Sequence, residues 1–291
     1  MLYDYFKLNQ PFETVETVEQ FLDLIKHSNS VSNILFTPST FSPARPANRI
    51  KDKTFTNVSF SKKEIRNVVF TRCHFEDCLF IGTAFNSCEF HDCSFICCNL
   101  NKVSFTHTYI DPRVFVSTID PKKYSNIGVW LFWQLFQNSA QIHQPDFART
   151  AQYQFEKWQR YQYNYEYTKG EMPLGRYLSK WILNWLFDKS LGYGIRMVPF
   201  IRLTALLLTV MWLINYYCWE ALGLHVNVTT SGVVHSWPIA FYYTVVTMTT
   251  LGYGDITPTT STGMILASIE AMIGLLWLSV LASIIIKRLT K

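Results

Sequence analysis

Charged residues are scarce in this chain. Asp, Glu, Lys and Arg make up 16% of its 291 residues, against about 25% in ordinary soluble domains. With 49% hydrophobic residues, that shortage argues against a wholly soluble protein and for a membrane protein with a sizeable soluble part. Residues 221–262 contain no Lys or Arg at all. The first ten residues lack a basic run followed by an apolar core, so no signal peptide is expected. There is no phosphate-binding glycine loop and no nucleophile motif, and the cysteines recur at the same five-residue interval as the apolar residues around them, so neither an enzyme nor a cofactor is expected. A net charge of +5 is too small to point to nucleic acid.

Long apolar runs are present. Residues 199–222 have an uncharged core at 203–219 and an aromatic end at Tyr216, Tyr217 and Trp219. Residues 263–286 form a second run, and a helix of that length reaches ~36 Å, enough to cross about 30 Å of hydrocarbon with tilt. Arg196 and Arg202 precede the first run, while Lys287, Arg288 and Lys291 follow the second. The positive-inside rule therefore predicts a multi-pass protein of the cell (inner) membrane with both termini cytoplasmic. Neither run carries regularly spaced arginines. Only five residues follow the second run, so no carboxy-terminal regulatory domain is expected.

Between the runs, residues 240–249 are apolar with small polar punctuation, as a short helix buried at membrane depth would be. They lead into Thr250-Leu251-Gly252-Tyr253-Gly254-Asp255. A dehydrated cation needs oxygens in place of its water shell, and carbonyls aimed inward from several copies of a loop can supply them. Gly252 and Gly254 let the backbone leave strand geometry cheaply. Irregular backbone at that depth is tolerated only inside protein or along a water-filled cavity. A second copy, Gly192-Tyr193-Gly194, lacks the preceding Thr-x-x-Thr and any short apolar helix, and reads as a bend before the first span.

Thr247-x-x-Thr250-Leu251-Gly252-Tyr253-Gly254-Asp255 resembles the potassium-channel signature, and residues 192–291 resemble two-span potassium channels. The resemblance implies a selectivity filter over Thr250, Leu251, Gly252, Tyr253 and Gly254, with K⁺ ions held at Thr250, Leu251, Gly252 and Tyr253. One chain supplies a quarter of that cage, so a homotetramer in membrane lipid is implied. Gly274 resembles an inner-helix hinge. Thr247, Tyr242, Asp255 and Glu270 are read as filter support, with Asp255 bonding Tyr242. If Leu275 faces the cavity, 100° per residue puts Leu278, Ala282, Ile285 and Ile286 near the same stripe, and such a stripe can close by dewetting. Glu270 then lies about 140° away around the helix. A charge there costs about 2.5–3.5 kcal/mol on insertion scales, and Thr247 and Thr250 are its expected partners. Leu251 stands where Val or Ile is commoner, and Val246 where some bacterial channels carry a glutamate. Asn227-Val228-Thr229 matches a glycosylation sequon.

From Phe55 an apolar residue recurs every fifth position, through Phe60, Ile65, Phe70, Phe75, Phe80, Phe85, Phe90, Phe95, Leu100 and Phe105 to Ile110. The residue two before is usually small. Such a period signals a solenoid whose units bury a shared core by stacking. It resembles the pentapeptide-repeat family, which implies a right-handed four-sided β-helix of about three coils and ~15 Å of rod. Cys73, Cys78, Cys88, Cys93 and Cys98 occupy the small inward position and read as packing residues in a reducing cytoplasm. Cys97 is the thiol expected to be exposed.

Residues 14–26 show helical spacing, with Thr14 or Thr17 as the start, and the proline-rich residues 39–46 read as a loop or linker. Residues 127–141 and a stretch from Pro145 to Tyr167 read as helices. Residues 176–188, with Leu178, Trp181, Ile182 and Trp185 on one face among basic residues, suggest an interfacial helix. The domain reading is residues 1–50, an amino-terminal cytoplasmic segment; 51–112, the β-helix; 113–194, a helical connector; and 195–291, the pore. The expected class is a tetrameric membrane all-α pore domain, with two transmembrane helices and a pore helix, joined to a cytoplasmic right-handed quadrilateral β-helix. A non-selective cation channel and a membrane-anchored interaction scaffold are the alternatives.

Overall fold

The computed structural model describes residues 5–227 and 235–289, with side chains described as far as residue 286. The chain divides into two compact units, Met1–Leu186 and Phe187–Lys291.

The first unit opens with β1 (Glu13–Val15), α1 (Val18–His27), β2 (Ser30–Phe36), β3 (Thr40–Phe41), β4 (Arg49–Lys51) and β5 (Thr54–Ser59). Short strands follow: β6 (Glu64–Arg66), β7 (Val69–Thr71), β8 (His74–Glu76), β9 (Ala84–Asn86), β10 (Glu89–His91), β11 (Ser94–Ile96) and β12 (Ser104–Thr106). All their pairings are parallel, in the orders β1-β2-β5-β8-β11, β10-β7-β4 and β12-β9-β6-β3. From β5 onward the register advances by twenty residues: Phe55 pairs with Phe75, Phe75 with Phe95, Ile65 with Phe85 and Phe70 with Phe90. Bridges from Ser59 to Leu79 and from Leu79 to Asn99 add a fourth row. Parallel rows at this spacing are consistent with a β-helix.

The five-residue period follows from this stacking. Inward phenylalanines twenty residues apart stack, with ring centroids 4.9 Å apart for Phe75 and Phe95 and 5.1 Å for Phe55 and Phe75. That is close to the ~4.8 Å between paired strands. Two residues after each inward position the backbone is left-handed, at Asn57, Lys62, Asn67, Arg72, Asp77, Gly82, Ser87, Asp92, Cys97, Lys102 and His107. Left-handed residues thus recur at the same five-residue interval as the inward positions.

The small inward position does more than save space. Cys78 donates to the Phe55 carbonyl (3.3 Å), Cys88 to Ile65 (3.3 Å) and Cys98 to Phe75 (3.4 Å). Thr83 and Thr108 bond Phe60 and Phe85 in the same way. Each side chain thus satisfies a carbonyl twenty-three residues earlier, which a pure hydrophobe could not do. Burial pushes the Cys88 thiol up to about 11, where it is inert as a nucleophile. Cys97 is half-buried, and the exposed cysteine is Cys218, outside the repeat.

The parallel stack begins earlier than residue 51. β2, β3 and β4 pair with β5, β6 and β7, and Val31, Phe36, Phe41 and Ile50 are buried in the same core. Of the two readings of residues 39–46, the ordered loop holds rather than the linker: Thr40–Phe41 forms β3 and Phe41 is 1% exposed. Extra residues between Phe41 and Ile50 hide the period at this point. The helix expected at 14–26 starts at Val18, capped by a Thr17/Gln20 box. Thr14 lies in β1, paired with Leu35. Phe21 of α1 packs on Phe36, Phe41, Phe55 and Phe60, covering this end of the stacked core.

At the other end, α2 (Ser125–Gln141) packs on β12 and on α3 (Pro145–Thr168). Asn138 accepts from the Thr108 amide and donates to its carbonyl, standing where another strand would. α4 (Leu174–Leu191) follows and exposes Leu178, Ile182 and Trp185.

In the second unit a 3₁₀ turn at Gly192–Gly194 precedes α5 (Met197–Tyr217). β13 (Leu224–Val226), α6 (Trp237–Met248), β14 (Ile256–Pro258) and α7 (Ser261–Leu289) complete it. α5 and α7 are long and apolar enough to cross a membrane. The first helix stops at Tyr217 rather than reaching residue 222. The chain turns there, and Trp219 and Leu222 join Leu224, Ala240, Tyr243 and Ile256 in a small core.

Candidate functional site

α6 is a two-faced short helix. Ala240, Tyr243, Thr244, Val246 and Met248 are buried, while Phe241 and Tyr242 are exposed. It ends at Thr249, and the amides of Thr250 and Leu251 then bond the Thr247 and Val246 carbonyls, both at 3.0 Å. These bonds fix the direction in which the loop leaves the helix.

Beyond them the backbone alternates. Thr250, Gly252 and Gly254 have φ of 57°, 53° and 77°, whereas Leu251 and Tyr253 are not left-handed. In an ordinary strand successive carbonyls point to opposite sides, and inverting every second residue brings them to one side. A β-branched residue in the left-handed region is a real outlier. Such residues cost about 1–3 kcal/mol and cluster at functional sites. The carbonyls of Thr250, Leu251, Gly252 and Tyr253 accept no hydrogen bond from the described residues. Leu251 and Tyr253 are 59% and 68% exposed. The result is a short row of unused oxygens on a loop whose large side chains have unfinished packing.

The flanks of this row are tied down. Tyr242 donates to the Asp255 carboxylate at 2.6 Å, which brings those two site residues together. β13 pairs antiparallel with β14, placing Val226 opposite Ile256. Asn227 follows and donates from its side chain to the Gly254 carbonyl (2.9 Å) and the Thr257 hydroxyl (3.0 Å). The sequence reading gave Asn227 only a sequon; the rest of that sequon, Val228 and Thr229, lies outside the described residues.

Behind the loop, Glu270 is 1% exposed, and its expected partners are corrected. Neither Thr247 nor Thr250 bonds it. Asn215 of α5 donates to both Glu270 oxygens at 3.1 Å and to the Thr244 hydroxyl at 2.9 Å. The Thr244 hydroxyl in turn donates to the Ala240 carbonyl at 2.9 Å. Asn215 and Thr244 are 1% and 0% exposed, so one buried polar node joins α5, α6 and α7. The signal for it was a lone asparagine in an apolar run, since a buried amide needs a partner.

Gly274 lies inside the unbroken α7, where a Cβ would overlap the Met248 carbonyl at the end of α6. Its smallness is required for that approach whatever hinge role it has. The buried edge of α7 runs through Gly263, Glu270, Gly274 and Ile284, while Leu275, Leu278, Ala282 and Ile286 are exposed in the single chain. Trp277 bonds the Thr204 hydroxyl at 2.8 Å and stacks on Phe200. No cluster of three or more metal-capable side chains occurs among the described residues.

Comparison with known proteins bears on this same region. Residues 202–291 match a family model described as "Ion channel". The A-type voltage-gated potassium channel KCND3 of Rattus norvegicus, of Oryctolagus cuniculus and of Homo sapiens is in each case 43% identical over 54 residues. That stretch is 19% of this chain and only 8% of each relative. The carboxy-terminal unit is therefore similar to ion-channel proteins.

Proposed function

We propose that this chain is one subunit of a homotetrameric, potassium-selective channel of the cell membrane, passing K⁺ passively with both termini in the cytoplasm. The observation that carries the reading is the run of four unused carbonyls, Thr250 to Tyr253, on backbone that alternates in handedness. Four copies around an axis would stack these oxygens into rings that replace the hydration shell of K⁺, and ions would advance by mutual displacement. Gly254 would close the filter at its outer end. The exposure of Leu251 and Tyr253 supports assembly, because neighbouring copies would bury them. The basic residues flanking the spans support the orientation.

The remaining roles follow from position. The exposed stripe of Leu275, Leu278, Ala282 and Ile286 lines the inner cavity and closes it by dewetting. Gly274 lets α7 approach α6 and hinge there. Thr247, Tyr242, Asp255 and Glu270 hold the filter from behind, Glu270 through Asn215. α4 lies in the headgroup region, and the repeat domain, a four-sided right-handed β-helix, serves assembly or gating from the cytoplasm.

Purified full-length protein in liposomes under opposed K⁺ and Na⁺ gradients tests the reading. A reversal potential near the K⁺ equilibrium value is expected. A value near zero would point to the non-selective cation pore, and no flux together with a monomeric protein would reject a channel.

A further inference from the structure

The Gly254 carbonyl differs from the four before it. Those four are unpaired, whereas this one accepts the Asn227 side-chain N–H at 2.9 Å. The second N–H of the same amide goes to Thr257 at 3.0 Å, and the Asn227 backbone amide bonds the Asp255 carbonyl at 2.7 Å. Asn227 sits at the end of β13, whose pairing with β14 holds it in register. The outer mouth is therefore gripped from two elements, by Tyr242 of α6 at the Asp255 carboxylate and by the residue after β13 at the adjoining backbone.

We propose that Asn227 is a positioning residue for the outer end of the carbonyl row. By taking the Gly254 oxygen as its own acceptor, it withdraws that oxygen from the ions, limits the row to four rungs and latches the mouth to β13. This rests on the channel reading above. Both side-chain N–H groups are in use, so a carboxylate at this position, which can only accept, would oppose the Gly254 oxygen instead of holding it.

The test uses full-length protein in planar lipid bilayers and compares wild type with Asn227→Asp and Asn227→His. The imidazole Nδ1 falls near the place of the lost amide nitrogen and can donate. Asn227→Asp is expected to make the current decay about fivefold faster at low external K⁺, the scale of one lost hydrogen bond. Raising external K⁺ should slow that decay, since bound ions support the row, and Asn227→His should restore part of the wild-type rate. A decay rate within about twofold of wild type in Asn227→Asp would overturn the proposal. A second arm does not depend on conduction: the ¹³C carbonyl resonance of Gly254 in lipid should shift in Asn227→Asp, and an unmoved resonance would also overturn it. If wild type passes no K⁺, the channel reading fails, and the resonance alone judges the tie.

Discussion

Gly192-Tyr193-Gly194 and Gly252-Tyr253-Gly254 are the same tripeptide in one chain, and they fold in opposite ways. In the first copy all three residues are left-handed, at φ of 53°, 55° and 70°. The turn closes on itself, with the Gly192 carbonyl accepting from Ile195 and Arg196. In the second copy only the glycines are left-handed, and the chain stays open: the Gly252 and Tyr253 oxygens accept nothing from the described residues, and that of Gly254 goes to the Asn227 side chain rather than to its own turn. Three consecutive inversions consume a carbonyl in a bend, whereas alternate inversions line carbonyls up. What precedes each copy decides between them. Thr250 enters the second copy already inverted, fixed by its bond to Thr247, and no such residue precedes the first.

The comparison can be broken most sharply at Gly252. Alanine there must occupy the left-handed region, costing about 1–2 kcal/mol in each of four proposed copies. Gly252→Ala is expected to lower K⁺ flux into liposomes by more than about a hundredfold. An intermediate effect is expected from the support behind the second copy. Asn215→Leu leaves the Glu270 carboxylate and the Thr244 hydroxyl buried without their donor, at a cost of about 2–4 kcal/mol. Denaturant unfolding in detergent measures the loss, and adding Glu270→Leu should recover much of it, because removing both partners is nearly neutral. The smallest effect belongs to the first copy. A Cβ on Gly194 meets no atom within 4 Å, so Gly194→Ala should cost about 1 kcal/mol of stability through backbone strain alone. Its K⁺ flux should match wild type.

What the sequence revealed depended on whether the cause was local. The motif from Thr247 to Asp255 could be read because its geometry is set by glycine and by hydrogen bonds within a few residues. The stacked rows were legible from Phe55 on, where the spacing is unbroken. Val31, Phe36 and Phe41 keep the same spacing of five, but the insertion before Ile50 breaks the run. Glu270 stood out as a charge in an apolar run, yet its partner is fifty-five residues away. No local pattern could choose Asn215 over the nearer threonines. Asn227 was hidden for the same reason, since its acceptor becomes a neighbour only once β13 and β14 pair.

Stacked parallel strands invite growth, because the last rung of any such pile shows bare amide and carbonyl groups to the next molecule. In this chain the Phe21 helix sits over one end, and the Asn138 side chain fills the place of a further strand at the other. Each end of the pile thus carries a partial cover from the chain's own residues. Copies crowded together in a membrane, as subunits of one oligomer would be, can meet flank to flank without fusing end to end into a fibre.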